Sequence, residues 1–134
     1  MQTILKISEA AAIALHAADY MAGRGELCSA HDIARALGVS YNHLSKVLQA
    51  LTRAGLVSPV RGPKGGFPLS PSGRRASVRD LMTAIDGPVR LHSCLMGHKV
   101  CRHRTCVFGR FLEETNRRFE RVLESRISEF SKRA

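Results

Sequence analysis

The chain is expected to be mainly α: a helix-turn-helix with a small β-hairpin, followed by a long C-terminal helix. Three observations predict this. Ser8, Ser29, Ser40 and Ser77 each stand where a helix cap belongs, ahead of apolar residues at helical spacing. Glycines and prolines fall between those stretches rather than inside them. One basic, Gly/Pro-rich tip, Arg61-Gly-Pro-Lys-Gly-Gly66, separates two short β-prone runs.

The first helix is expected over residues 8–22, with Ser8 as cap, Gly23 and Gly25 as stop, and Ile13, Leu15, Ala17 and Met21 packed on neighbours. A second opens at Ser29-Ala-His-Asp32, where an acid three residues after the cap can reach back to a free amide. It runs through Ile33, Ala34 and Leu37 to Gly38, which can take the positive φ of a tight interhelical turn. Ser40 then caps a third helix from Tyr41 to Ala54, whose inward face is Leu44, Val47, Leu48 and Leu51. Two strands flank the basic tip, and Pro68 keeps the second short or at an edge. Ser77 and Asp80 repeat the cap signal for a helix that ends near Asp86, at Gly87-Pro88. From Val107 to Phe130 helical spacing returns at Phe108, Phe111, Leu112, Phe119, Val122, Leu123, Ile127 and Phe130. That stripe exceeds what a small domain covers alone, so a dimerisation helix is expected, with a fold back onto its own core as the alternative. Three helices followed by a hairpin is the order of a winged helix-turn-helix. The chain accordingly divides into a DNA-binding domain over 1–76, and a helix, a cysteine loop (90–106) and a dimerisation helix over 77–134.

Composition narrows the function. At 134 residues and 44% apolar, the chain is one folded domain or a domain plus an appended helix. The absence of Trp, with only two Tyr and five Phe, makes the core mostly aliphatic. Lys and Arg number 21 against 11 acids, a net charge of +10. Such an excess points to a polyanion, where basic groups gain affinity by releasing phosphate counterions, although it also simply resists aggregation. The apolar run after Lys6 is interrupted by Glu9, His16 and Asp19, unlike a signal peptide. No stretch approaches the roughly 20 apolar residues of a membrane span. A cytoplasmic protein without membrane partner is expected, and there clustered cysteines are metal ligands or redox sensors rather than disulfides.

On the outward face of the third helix stand Tyr41, Asn42, His43, Ser45, Lys46 and Gln49. Asn and Gln can pair with adenine edges, while Ser, Tyr and Lys more often hold phosphate. Residues at the amino end of a recognition helix reach furthest into the groove, so Ser40, Tyr41, Asn42, His43 and Lys46 are the expected contacts. At the hairpin tip, Arg61 and Lys64 supply charge and Gly62 lets the backbone approach a phosphate or narrow minor groove. No G-K-[ST] or following helix makes the tip a nucleotide loop.

Three cysteines follow in a basic stretch, Cys94-x6-Cys101-x4-Cys106, with His92, His98 and His103 among them. Such thiolates can hold an iron–sulfur cluster. Zinc with a Cys3His set is the chemical rival, although only one C-x2-4-C spacing, Cys101-x4-Cys106, is present where structural zinc sites pair two, and a thiol–disulfide switch is third. Cys28 stands alone beside a cap and is expected to be a buried or idle thiol.

The string VSYNHLSKVLQALTRAGLVSPVRGPKGGFPLS, then SVRDLMTAIDG and the three cysteines, resembles the Rrf-two family of bacterial winged-helix regulators (IscR-, NsrR- and RirA-like). The resemblance covers essentially the whole chain. It implies a homodimer on a pseudo-palindromic operator, crossed terminal helices, and an iron–sulfur cluster, [4Fe–4S] or [2Fe–2S], on Cys94, Cys101 and Cys106. It also maps the minor-groove wing contact onto Arg61 and Gly62. The cysteine spacing departs somewhat from that of the best-known members. IscR-like members carry a histidine three residues after the third cysteine, where this chain has Gly109. NsrR-like members take a fourth ligand from an acid in the partner's first helix, and Glu9 falls at the matching place. Glu9 is otherwise an ordinary first-turn acid favoured by the helix dipole. His31 could also reach the site in some family arrangements, but as a first-turn residue it is expected to be solvated or phosphate-facing, and His98 and His103, nearer in sequence, are further candidates. The expected function is an iron–sulfur-dependent regulator, acting as a repressor, that senses iron, redox state or nitric oxide. Alternatives are a zinc- or thiol-based DNA-binding regulator, or a metal or cluster carrier. No catalytic constellation points to an enzyme or a small-molecule substrate.

Overall fold

The computed structural model describes residues 7–24, 26–92, 94 and 106–130. Its helices are α1 (Glu9–Gly23), α2 (Ala30–Leu37), α3 (Tyr41–Arg53), α4 (Pro71–Arg74), α5 (Val78–Asp86), α6 (Gly109–Glu124) and α7 (Ile127–Phe130). The expected caps form. Ala11 N donates to Ser8 Oγ at 3.0 Å and His43 N to Ser40 Oγ at 3.1 Å. Full capping boxes open α2 (Ser29 with Asp32) and α5 (Ser77 with Asp80). Gly38 turns α2 into α3 at φ 67°, a conformation that costs glycine no Cβ clash.

α1 is the central element, packed against α2, α3, α5 and α7. Its alanines make this possible: Ala11, Ala14, Ala17 and Ala18 are fully buried, and side chains that small let neighbouring helices come close. Around them lie the large aliphatics Ile33, Leu44, Leu48, Leu51, Leu81, Leu123 and Ile127, all essentially inaccessible. Each such side chain contributes about 1.5–3 kcal/mol by leaving water. The inward face expected for α3 is the observed one, and the helix stops one residue early, with Ala54 as its C-cap.

The hairpin forms as two antiparallel bridges, Val57 with Leu69 and Val60 with Gly66, rather than as two continuous strands. Pro59 and Pro68 have no amide to donate, which interrupts the ladder. The Phe67 amide donates to Cys28 O at 2.8 Å, so the returning arm is tied to the segment entering α2. That approach needs Gly66, where a Cβ would meet Cys28 O at 2.7 Å. The short α4, absent from the sequence reading, follows: Ser70 caps Gly73 N at 3.0 Å and donates to Gly55 O at 2.6 Å.

The C-terminal stretch is not the single helix expected from Val107 to Phe130. Ser125 turns extended at φ −65°, ψ 141°, and ends α6 after Glu124. Val78 N donates to Ser125 O at 2.9 Å, and Ile127 N to Ala76 O at 3.2 Å. The end of the stripe therefore folds back: Leu123 and Ile127 enter the protein's own core, and α7 packs on α1. Phe108, Phe111 and Val122 each remain 49% exposed.

Candidate nucleic-acid interface and cysteine segment

The two faces of α3 divide cleanly. Leu44, Val47, Leu48 and Leu51 are buried, while Tyr41, Asn42, Lys46 and Gln49 are exposed and His43 and Ser45 half-buried. Ser40 Oγ accepts the His43 amide, which leaves its hydroxyl proton available to a partner. At the hairpin tip Arg61, Gly62 and Lys64 are exposed, and Gly62 sits at φ 106°. Among the described residues, Lys46, Arg61 and Lys64 take part in no ion pair, so their charge is available to an anion.

The hairpin is fastened at both arms to the elements that hold α3. Leu56 N donates to Leu51 O at 3.0 Å, joining the outgoing arm to the end of α3. The returning arm is held by Cys28, next to the Ser29 cap of α2. Orientation of the tip is thus inherited from the helical frame.

One residue of this surface was underrated from sequence. His31, in the first turn of α2, lies flat on Tyr41 with ring centroids 4.1 Å apart and planes 10° from parallel. The positions are separated by a turn, and no periodicity links them.

At the end of α1, Arg24 Nη2 donates to the Tyr20 hydroxyl at 2.8 Å. That bond, with a smaller contribution from Cys28, holds the guanidinium above its ordinary range. Cys28 is 4% exposed, its thiol directed at Glu26 O at 3.7 Å, in keeping with the expected buried thiol.

Of the three clustered cysteines, Cys94 is half-buried and Cys106 exposed. Cys101, with His98 and His103, lies outside the described residues. One backbone carbonyl on each side of the segment accepts a bond from α6. Asn116 Nδ2 donates to His92 O at 3.0 Å, and Gly109 N donates to Cys106 O at 3.1 Å. A Cβ at Gly109 would stand 3.4 Å from Cys106 Cβ, so the position without the histidine borders the third cysteine. Glu9 is exposed in the first turn of α1. Its neighbour Ser8 donates to both Asp86 oxygens at 2.8 and 2.7 Å, which sets the start of α1 at the end of α5, where the chain departs toward Cys94. Among the described residues no three His, Cys, Asp or Glu side chains gather into a metal-holding group. Cys94 and Cys106 offer thiols, a donor type that a soft metal centre takes.

A family model described as an iron-dependent transcriptional regulator, Rrf2, matches residues 7–127. The chain belongs to the Rrf2 family. It is 43% identical over 58 residues to BadM of Rhodopseudomonas palustris, named as an HTH-type transcriptional regulator; that stretch is 43% of this chain and 37% of BadM. Among solved structures it is similar to the B. subtilis global cysteine regulator CymR (TM-score 0.72, 22% identity, 98% of this chain and 99% of that one). It is also similar to T. potens IscR (TM-score 0.67, 25% identity, 96% and 88%) and to the oxidized form of Staphylococcus aureus CymR (TM-score 0.71, 21% identity, 95% and 96%). The fold class is therefore the mainly α winged-helix regulator, and the family to which the chain belongs is one of transcriptional regulators rather than enzymes. No helix among the described residues is long and apolar enough to cross a membrane.

Proposed function

We propose that this Rrf2 regulator binds a pseudo-palindromic operator as a homodimer and carries an iron–sulfur cluster that controls the binding. Ser40, Tyr41, Asn42, His43 and Lys46 meet the major groove and its phosphates, and Arg61, Gly62 and Lys64 meet the flanking backbone or minor groove. The observation that carries the DNA contacts is the unpaired, exposed charge at Lys46, Arg61 and Lys64, beside an α3 face whose opposite side is wholly buried. Cys94, Cys101 and Cys106 hold the cluster, with Glu9 of the partner subunit as fourth ligand. When bound, such a cluster supplies a centre sensitive to iron supply, redox state or nitric oxide.

The protein's own part is transmission. His92 and Cys106 are the described ends of the cysteine segment, and both bond to α6, while α5 leads into it from the core. A centre bound to all three thiolates would tie this segment together, and its release would shift the population away from the DNA-competent arrangement of two recognition helices.

Anaerobic purification followed by optical and Mössbauer spectra tests the cofactor and its nuclearity together. Iron and sulfide are expected to be lost on Cys94→Ser, Cys101→Ser and Cys106→Ser. A colourless, zinc-containing protein whose DNA binding ignores iron removal overturns the cluster reading in favour of a zinc site. Arg61→Ala is expected to weaken binding in a salt-dependent gel shift; binding without wing dependence overturns the DNA contacts. A thiol–disulfide response between two of the loop cysteines is the second reading, favoured by the exposed thiol of Cys106. An oxidant response that iron-free protein retains and that the triple Cys→Ser change abolishes selects it.

A further inference from the structure

The contact between His31 and Tyr41 has no structural duty. Both residues are exposed, Tyr41 at 45%, and neither belongs to the core. The α2–α3 arrangement is already secured by Ile33, Ala34, Leu44 and the Gly38 turn. Yet the rings lie within 10° of parallel at 4.1 Å, one from the first turn of each helix. A free tyrosine at the start of a helix samples several rotamers and swings its hydroxyl over a wide arc. A flat neighbour removes most of that freedom before any partner arrives.

Among the described residues the Tyr41 hydroxyl makes no intramolecular hydrogen bond, so stacking fixes its position while leaving the donor unspent. We infer that His31 is a positioning residue for DNA recognition: its ring preorganises Tyr41, and it contributes through Tyr41 rather than by its own phosphate contact. This rests on the reading of Tyr41 as a DNA contact. Preorganisation raises affinity by removing an ordering cost otherwise met on binding.

The test uses the full chain and a duplex selected with the wild-type protein from a randomised 30-bp pool. An exposed aromatic pair supports an effect of about three- to tenfold in affinity. His31→Ala is expected to weaken binding by that factor while the circular dichroism spectrum and a cooperative thermal transition are kept. His31→Phe, which keeps a ring but loses both nitrogens, is expected to restore affinity to within about twofold, on the same scale. Tyr41→Ala is expected to lose at least as much as His31→Ala, and the double variant no more than Tyr41→Ala alone. The slope of log Kd against log salt should stay constant for His31→Ala, whereas loss of a direct phosphate contact would lower it by about 0.9. Failure of phenylalanine to restore binding, additive losses, or a reduced slope overturns the positioning role and makes His31 a phosphate contact. Unchanged affinity in His31→Ala overturns it outright. A Tyr41→Ala variant that binds normally, or a wild-type chain that selects no sequence, overturns the underlying DNA reading and the inference with it.

Discussion

The helices before Gly87 and the helix after Phe108 are stabilised in opposite ways. α2, α3 and α5 each open on a serine whose oxygen takes a backbone amide, and their apolar faces are buried among α1 and one another. α6 opens on Phe108 without any side-chain cap, and half-exposes Phe108, Phe111 and Val122. Its other face is covered: Leu112 is buried, Phe119 packs against the core, and Leu123 enters it. The first region completes itself within one chain. The second has a fixed end and a half-exposed apolar face, with Cys106 just ahead of its start.

Substitutions can break this comparison at its sharpest point, the adjacent pair Val122 and Leu123. Leu123→Ala is expected to destabilise the chain by about 2–5 kcal/mol in chemical denaturation, because it empties a fully buried site. A loss near zero would detach α6 from the core. The double change Phe111→Glu with Val122→Glu should leave the circular dichroism spectrum intact and weaken self-association by about a hundredfold, roughly 2.7 kcal/mol, in analytical ultracentrifugation. Unchanged self-association would remove the exposed face from the dimer.

Within the first region, Gly66→Ala is expected to cost about 1–3 kcal/mol, because the new Cβ runs into the Cys28 backbone. Operator affinity in a gel shift should fall with it, since the wing loses its tie to α2. The smallest effect is at Asp32, whose hydrogen bonds from Ser29, side chain first and then backbone, hold its carboxyl below the usual range. A carboxyl depressed on folding adds stability above its ordinary pKa and loses it as pH falls through the folded value. Asp32→Asn should therefore flatten the acid side of a thermal-midpoint profile below about pH 4, the ordinary carboxylate range. A profile identical to that of the parent would show the box to be idle.

How much of this was legible depended on reach along the chain. The caps at Ser29, Ser40 and Ser77 were readable because each bonds to an amide three residues away. The inward face of α3 was readable from spacing alone. The break at Ser125 was not, because Leu123 and Ile127 keep an i, i+4 interval straight through it, and only the bonds to Ala76 and Val78 reveal it. The continuous hairpin strands gave way to bridges because prolines interrupt the ladder and the Phe67 amide turns to Cys28, far back in sequence. Of the candidate site, Tyr41, Asn42, Lys46, Arg61 and Lys64 stood out as polar groups at exposed positions, whereas His31 had no signal to join it to Tyr41.

The sequence by itself determined the helical order, the capped starts, the basic tip and the three thiols, since each rests on neighbours within one helical turn or one loop. Only the tertiary structure decided that α6 ends by folding into its own core, that the wing hangs from Cys28, and that His31 lies against Tyr41. Those depend on which distant backbone groups and rings come within bonding distance once α1 has gathered the other helices. Periodicity measures position around one helix axis and carries no information about what lies across from it.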